Sequence, residues 1–200
     1  MFFDASSFNQ TVNEIDTSAV TTMRSVFYKA ASFNQRVDTW DTSAVTDMSG
    51  MFYRATSFDQ RVDTWDTSAV TSMRGMFAHA TSFNQRVDTW NTSAVTTMFE
   101  MFLGAASLDQ DLSSWHVSAV TNFNGTFTNA TALSDCNKAL IYASWVGQNA
   151  LFDSEYAAWG AIDADAACCP AGCVLAPSAT RRRLLFASMP ACPAGCVARR

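Results

Sequence analysis

Large apolar residues recur at fixed intervals along the chain, with successive copies that begin at Phe8, Phe33, Phe58, Phe83 and Leu108. The copy at 33–57 contains Phe33, Val37, Trp40, Val45, Met48, Met51 and Phe52, with polar residues between most of them. Neither a helical stripe nor strict alternation continues for more than a few positions, which is typical of short strands joined by turns. A repeat of roughly 25 residues predicts a solenoid, in which each coil buries its apolar side against its neighbours.

Within one copy, the pattern predicts four local segments. We expect a short strand near residues 35–40, a turn at 41–44, a second extended stretch at 45–48 and a tight helical or bent segment at 51–55. Stacked parallel strands would place equivalent residues of successive coils about 4.8 Å apart.

Three polar positions are the same in all five copies and need a structural reason. Side-chain ladders and turn capping predict such constant polar positions, because Asp-Thr-Ser sequences bond to nearby backbone amides. A direct binding role is the alternative. The three files are Gln10, Gln35, Gln60, Gln85 and Gln110; Ser18, Ser43, Ser68, Ser93 and Ser118; and Thr21, Thr46, Thr71, Thr96 and Thr121.

The repeat divides the chain into three parts. Residues 1–132 hold a partial copy at 1–7 and five copies at 8–132, so the chain is expected to begin inside a solenoid. Residues 133–162 are predicted to form a helical C-terminal cap, in which Ser134 caps a helix that ends near Gly147. Residues 163–200 are rich in Cys, Ala, Pro and Arg and are predicted to be disordered.

Composition narrows the classes of partner. The net charge of -5 and the pI of about 4.8 disfavour nucleic acid and anionic membranes. No apolar run of about 18 residues is present, so no transmembrane segment is expected. The N-terminus lacks the basic and long apolar regions of a secretory signal.

The motif W-D-T-S-A-V-T-x-M-x-x-M-F-x-x-A-x-S-F-N-Q resembles that of BspA-type leucine-rich-repeat surface proteins, in the mycoplasma-lipoprotein form of roughly 25 residues per repeat. The resemblance covers residues 1–132, and S-D-C-N-K-A-L-I-Y-A-S-W at 134–145 looks like the segment that closes such arrays. It implies a right-handed, leucine-rich-repeat-like stack with short parallel strands and short helical turns. It also implies a secreted or cell-surface location and adhesion or protein binding.

Differences between the copies are concentrated at five positions of the repeat, represented by residues 22, 24, 25, 28 and 29. We expect these positions to project outward as one strip, because they interleave with core Met and Phe residues. A strip that varies on a fixed scaffold is how repeat proteins present a binding surface. Drift at exposed positions is the alternative. Aromatic and arginine side chains dominate interface energetics, so the strip yields eight candidate binding residues. They are Arg24, Tyr28, Lys29, Tyr53, Arg54, Arg74, His79 and Phe99.

The sequence gives weaker evidence for a metal site or a catalytic site. The acidic files Asp16/Asp41/Asp66 and Asp38/Asp63/Asp88 could offer oxygens to calcium, but turn capping by Asp41 and pairing of Asp38 with Arg36 explain them more simply. His79 and His116 occupy different positions of the repeat, so no catalytic site, resident metal or cofactor is predicted.

Cysteines and sequons add candidate modification sites. Candidate disulfide cysteines are Cys168, Cys169, Cys173, Cys192 and Cys196, with zinc as the less favoured alternative because no His lies nearby. Candidate N-glycosylation sites are Asn9, Asn91, Asn124 and Asn129.

These observations predict a repeat scaffold without enzymatic activity that binds a protein or another cell-surface ligand. The alternative is an architectural scaffold that associates with itself end to end and has no specific ligand.

Overall fold

The repeats form a stack of coils that are joined by backbone hydrogen bonds. A computed structural model describes residues 2–169, 173–175 and 196–198. In each coil, alternate amides of one segment donate to carbonyls of the next coil, as in Met23 to Asp47 at 2.9 Å and Phe27 to Met51 at 2.9 Å. The same pattern continues up to the bond from the Gly104 amide to the Thr128 carbonyl at 2.7 Å.

The prediction of a leucine-rich-repeat-like solenoid with short parallel strands is wrong. No residue between 2 and 132 lies in a β-strand or a helix, and each inter-coil contact of strand type is a single bridge residue. The parallel bridges join Thr22 to Asp47, Asp47 to Ser72 and Ser72 to Thr97. In the copy at 33–57, turns occupy 38–39, 43–44, 49–54 and 56–57, so the predicted strands at 35–40 and 45–48 are absent.

Left-handed backbone at two positions of the coil explains why the segment that carries the inter-coil amides does not form a strand. A strand needs φ near -120° to -140° at every residue, whereas these positions have φ between 54° and 68°. Both lie within the bent segment that carries the inter-coil amides. The first set is Ser25, Gly50, Gly75, Glu100 and Gly125, and the second is Asp4, Lys29, Arg54, His79, Gly104 and Asn129.

The core contains the apolar residues that the repeat predicted. All the apolar positions named above for the copy at 33–57 are buried, and their equivalents continue through the stack. Phenylalanine pairs within the core stack closely, as Phe27 on Phe33 and Phe52 on Phe58, both with centroids 3.8 Å apart. Each Trp of the repeat donates its Nε1–H to a Val carbonyl of the preceding coil, so that its polar edge is satisfied when buried. These bonds join Trp40 to Val12, Trp65 to Val37, Trp90 to Val62 and Trp115 to Val87 at 2.9 to 3.0 Å.

The polar files form the predicted ladders. Gln35 Nε2 donates to Asn9 Oδ1 of the preceding coil at 3.0 Å, and Thr46 Oγ1 donates to the Thr21 carbonyl at 3.2 Å. The Ser43 amide donates to Asp41 Oδ1 at 3.0 Å and closes the turn that follows it. A buried Thr file was not predicted; it donates to carbonyls of the next coil at 2.9 to 3.0 Å, from Thr17 to Asp41, Thr42 to Asp66, Thr67 to Asn91 and Thr92 to His116.

Short helices follow the last coil. Helix α1 spans Asp135–Trp145, α2 spans Ala150–Tyr156, a 3-10 helix spans Ala157–Ala161, and α3 spans Ala164–Cys168. Ser134 caps α1 by accepting the Asn137 amide at 3.3 Å. Strands β1 (Cys173–Leu175) and β2 (Cys196–Ala198) pair antiparallel, outside the repeats.

The helices close the end of the stack. Gln148 Oε1 accepts the Val117 amide at 3.0 Å, and Asn149 Nδ2 donates to the Val117 and Val120 carbonyls at 2.9 and 2.7 Å. These side chains satisfy backbone groups that have no further coil to bond. The Cys136–Cys168 disulfide joins α1 to α3, with Cα atoms 4.6 Å apart, so α3 occupies the start of the segment predicted to be disordered.

Candidate functional site

The eight candidate residues all lie in the bent segments, and we define them as the aromatic–cation strip: Arg24, Tyr28, Lys29, Tyr53, Arg54, Arg74, His79 and Phe99. Tyr28 stacks on Tyr53 with centroids 4.6 Å apart and rings within 7° of parallel. The Tyr53 ring meets His79 edge-on at 5.9 Å. The repeat therefore brings side chains that are far apart in sequence into one continuous file.

Phe3 extends this file by one coil and was not among the predicted site residues. Its ring lies parallel to Tyr28 at 4.7 Å and is 60% exposed. Phe3 and Tyr28 occupy the same position in successive copies, so the repeat phase alone could have identified it.

A cation lies close to an aromatic ring in three places of the strip. Lys29 Nζ lies 5.5 Å from the Tyr28 centroid, and the Arg54 guanidinium carbon lies 5.6 Å from that of Tyr53. Arg74 lies 4.7 Å above the Phe99 ring. At exposed sites, each such contact stabilises the position of the cation near the ring by about 0.5–1 kcal/mol.

Two of the five variable positions are constrained by backbone geometry. Residues equivalent to Ser25 and Lys29 have positive φ, which Gly and Asn tolerate better than other residues. The expectation that every variable position projects outward is also wrong, because Ser49 and Ala78 are buried. Variation at the three remaining positions, equivalent to Thr22, Arg24 and Tyr28, has no such backbone explanation.

The carboxylates of the acidic files already accept hydrogen bonds from neighbouring groups of the protein. Asp41 Oδ1 accepts the Ser43 hydroxyl at 2.6 Å and its amide at 3.0 Å, which hold the pKa of Asp41 below its usual value. Asp38 accepts Arg36 Nε and Nη2 at 3.0 and 2.9 Å, and this hydrogen-bonded pair lowers the pKa of Asp38. Asp66 and Asp63 follow the same patterns. Among residues 2–169, no group of three or more His, Cys, Asp or Glu side chains is arranged to hold a metal ion.

The other candidate residues lie apart from one another. His79 is half-buried within the strip, whereas His116 is exposed and donates its amide to Thr92 Oγ1 at 2.9 Å. The sequon residues Asn9, Asn91, Asn124 and Asn129 are all exposed. Near Arg36 and Arg61, the surface has a depression of about 280 Å³.

The cysteine prediction missed Cys136. Cys168 pairs with Cys136, and Cys169 is also disulfide-bonded. Cys173 and Cys196 begin β1 and β2, whereas Cys192 lies outside the described residues. The helix that carries Cys136 has to be placed before its nearness to Cys168 can be seen, since sequence spacing does not fix pairing.

A stack of near-identical coils closed by helices defines a tandem repeat protein. The chain belongs to the family described as Mycoplasma protein of unknown function, DUF285, whose sequence model matches residues 1–65 and 58–159. The second match includes α1 and α2, so these two helices lie within the family match. The match supports the mycoplasma-type repeat of the predicted resemblance but not the BspA-type leucine-rich repeat.

No curated protein and no solved structure was found to match the chain. Within the described part of the chain, no helix has the length and apolar character needed to cross a membrane.

Proposed function

We propose that this chain is a non-enzymatic binding module that recognises a protein or another ligand at the cell surface through the aromatic–cation strip. The stack supplies a rigid support, and the strip supplies the specificity. Membership of a repeat family of unknown function is compatible with this role.

The observation that carries the proposal is the partly exposed aromatic file that runs across successive coils. Phe3, Tyr28 and Tyr53 stack face to face at 4.6 to 4.7 Å outside the core, although the core already contains its own aromatic files. A large exposed side chain such as Phe3 at 60% exposure adds little to folding. Aromatic and Arg side chains together are the commonest energetic anchors of protein interfaces.

The Cys136–Cys168 disulfide supports a secreted or cell-surface location. Disulfides persist in oxidising compartments and are rare where glutathione keeps thiols reduced. This pair links two helices of the closing segment. We therefore place the module outside the cytosol as part of the proposal.

The test compares retention of the purified chain on intact cells of the species that expresses it and of any species on which that organism lives. The strip variant is Tyr28→Thr/Tyr53→Thr/Phe99→Asn, because Thr128 and Asn124 occupy these repeat positions in the last coil. The control variant is Thr39→Ser/Thr64→Ser/Thr89→Ser, because Ser114 occupies that exposed position. We expect the strip variant to lose retention at least tenfold and the control to keep it, with circular dichroism unchanged in both. Equal retention by all three proteins would refute the proposal.

The architectural alternative gives a different result in solution. Phe3 is exposed at the N-terminal end of the described stack, where a second copy could cover it. Light scattering over a range of protein concentrations separates the two functions, because self-association through this end gives oligomers that Phe3→Ser abolishes. A binding module stays monomeric in the absence of its ligand.

A further inference from the structure

We propose that the partner offers an extended acidic peptide segment to the aromatic–cation strip. This inference rests on the proposed function and adds the chemistry of the ligand. It follows from where the unpaired cations lie and from which parts of the aromatic rings remain accessible.

The cations of the described chain fall into two groups. Outside the strip, each one is paired with a carboxylate at 2.9 to 3.0 Å; these pairs are Arg36–Asp38, Arg61–Asp63, Arg86–Asp88 and Lys138–Asp135. In the strip, Lys29, Arg54 and Arg74 have no carboxylate within 4.0 Å among the described residues, and Arg24 reaches Asp47 only at 4.0 Å. Among the described residues, the Lys and Arg side chains without a close carboxylate partner thus all belong to the strip, which favours an acidic ligand there.

The cations follow the long axis of the stack. Lys29 and Arg54 occupy the same position in successive coils, and Arg24 and Arg74 occupy one position two coils apart. An extended chain laid along the coils would pass each of them in turn. Guanidinium groups bind carboxylates with two parallel hydrogen bonds, so Asp and Glu side chains suit Arg54 and Arg74.

The ring faces distinguish a peptide from a sugar or a nucleobase. Tyr28 is covered on one face by Phe3 and on the other by Tyr53, at 4.7 and 4.6 Å. The remaining side of Tyr53 is occupied by Arg54 and the edge of His79. Sequence-tolerant binding of nucleic acid relies on stacking of bases on free aromatic faces. The strip instead offers hydroxyl groups, ring edges and cations, which match carboxylates.

Backbone amides along the strip already donate hydrogen bonds within the stack. The Ser25, Phe27 and Lys29 amides all donate to the next coil, at 3.0, 2.9 and 2.6 Å. A peptide cannot extend a sheet here, because no free row of amides is available along the strip. Recognition must come from side chains, and its strength must therefore depend on salt.

The experiment measures fluorescence anisotropy of a labelled peptide of alternating Glu and Ser, with a peptide of alternating Gln and Ser as the neutral probe. The strip variant is Lys29→Asn/Arg54→Asn/Arg74→Asn, which uses the residues of the last coil, and Asn also tolerates positive φ at two of these positions. The control is Arg36→Thr/Arg61→Thr/Arg86→Thr, after Thr11. Both variants remove three cations, so they carry the same net charge.

We expect the wild type and the control to bind the Glu peptide within about twofold of each other, and the strip variant to bind at least tenfold more weakly, with added salt weakening the wild type. An equal loss in both variants would show that only net charge matters and would overturn the inference. Tighter binding of polygalacturonate or oligothymidylate than of the Glu peptide would also overturn it. A third outcome separates this inference from the proposed function. If the wild type does not bind the Glu peptide, but Tyr28→Thr/Tyr53→Thr/Phe99→Asn still loses cell retention, the inference of an acidic ligand is wrong and the proposed function stands.

Discussion

Trp145 continues the Trp file of the repeats from a helix. Its ring lies on that of Trp115 with centroids 6.0 Å apart, and its Nε1–H donates to the Leu112 carbonyl at 3.1 Å. Trp115 makes the equivalent bond to Val87 at 2.9 Å. The helix α1 therefore places an indole where the next coil would have placed one.

Replacement of Trp145 should weaken the closing segment more than any exposed change does. We expect Trp145→Ala to lower the free energy of unfolding by about 3–5 kcal/mol, because the side chain is fully buried against the last coil. Trp145→Phe keeps much of the packing but leaves the Leu112 carbonyl without its donor, and should cost about 1–3 kcal/mol. Urea unfolding followed by circular dichroism measures both.

Leu151→Ala is the control for this series. Leu151 is 51% exposed on α2, so its truncation should change stability by less than about 0.5 kcal/mol. A Trp145→Ala protein as stable as Leu151→Ala would show that the closing helices do not stabilise the stack.

The sequence predicts this region only in part. Ser134 as a helix cap and Trp145 on a buried face could be predicted, because capping residues and helical spacing are local signals. The equivalence of Trp145 to the repeat indoles could not, since the repeat phase that leads to Trp115 continues to Leu140 instead. Only the path of α1 over the last coil brings the two rings together.

Gly75 and Glu100 occupy one position of the repeat and should respond oppositely to substitution. Both have positive φ, at 57° and 54°. We expect Gly75→Ala to lower the free energy of unfolding by about 1 kcal/mol, because a Cβ strains left-handed backbone although it would come only within 3.9 Å of Ala78. Glu100→Gly should raise it by about 0.5–1 kcal/mol for the same reason.

Thermal unfolding of the two variants and of the wild type decides this prediction. The two changes serve as each other's control, since they alter the same repeat position in neighbouring coils. Shifts of the melting temperature in the same direction would mean that side-chain contacts, not backbone strain, determine stability at this position.

This repeat position also explains why the bent segment of each coil forms no strand. Gly50, Gly75 and Gly125 share it, and Gly104 and Asn129 share the second left-handed position. Gly and Asn residues that recur at the same two repeat positions indicate positive φ, and this pattern was present in the sequence. The apolar pattern concealed it, because buried residues at irregular spacing look alike in strands and in turns.

The Cys136–Cys168 disulfide should stabilise the closing segment without being needed for the stack. The bond closes a separation of 32 residues, for which about 2–4 kcal/mol is typical. We expect Cys136→Ser/Cys168→Ser to lose protection from amide hydrogen exchange in α3, while amides such as Phe52 and Phe77 in the middle of the stack keep theirs.

The wild type treated with a reductant is a second comparison, because it loses this bond and the Cys169 disulfide without a change of sequence. Unchanged protection of α3 in both samples would contradict the prediction. Loss of protection at Phe52 and Phe77 as well would show that the bond supports the whole chain.

Three of the candidate residues lie in contact, whereas the backbone that carries them differs from the predicted one. Tyr28, Tyr53 and Arg54 were identified by variation between copies, and the structure brings them into contact. The stacking that covers the Tyr28 faces could not be predicted, because it depends on the distance between coils in three dimensions. That distance decides which ligand chemistry the strip suits.

Tyr156 should make the closing segment sensitive to high pH. Burial raises the pKa of its phenol to about 12, and its oxygen accepts the Phe127 amide at 3.0 Å. Because the folded pKa lies above the unfolded value of about 10, the stabilisation is complete below pH 10 and is lost as pH rises towards 12. We expect urea unfolding to show a fall in the free energy of unfolding of up to roughly 2–3 kcal/mol over this interval.

The Tyr156→Phe variant is the control. It should be less stable by about 1–3 kcal/mol near neutral pH, because the Phe127 amide loses its acceptor, but its free energy of unfolding should fall less steeply above pH 10. Identical pH dependence in the two proteins would exclude Tyr156 as the titrating group.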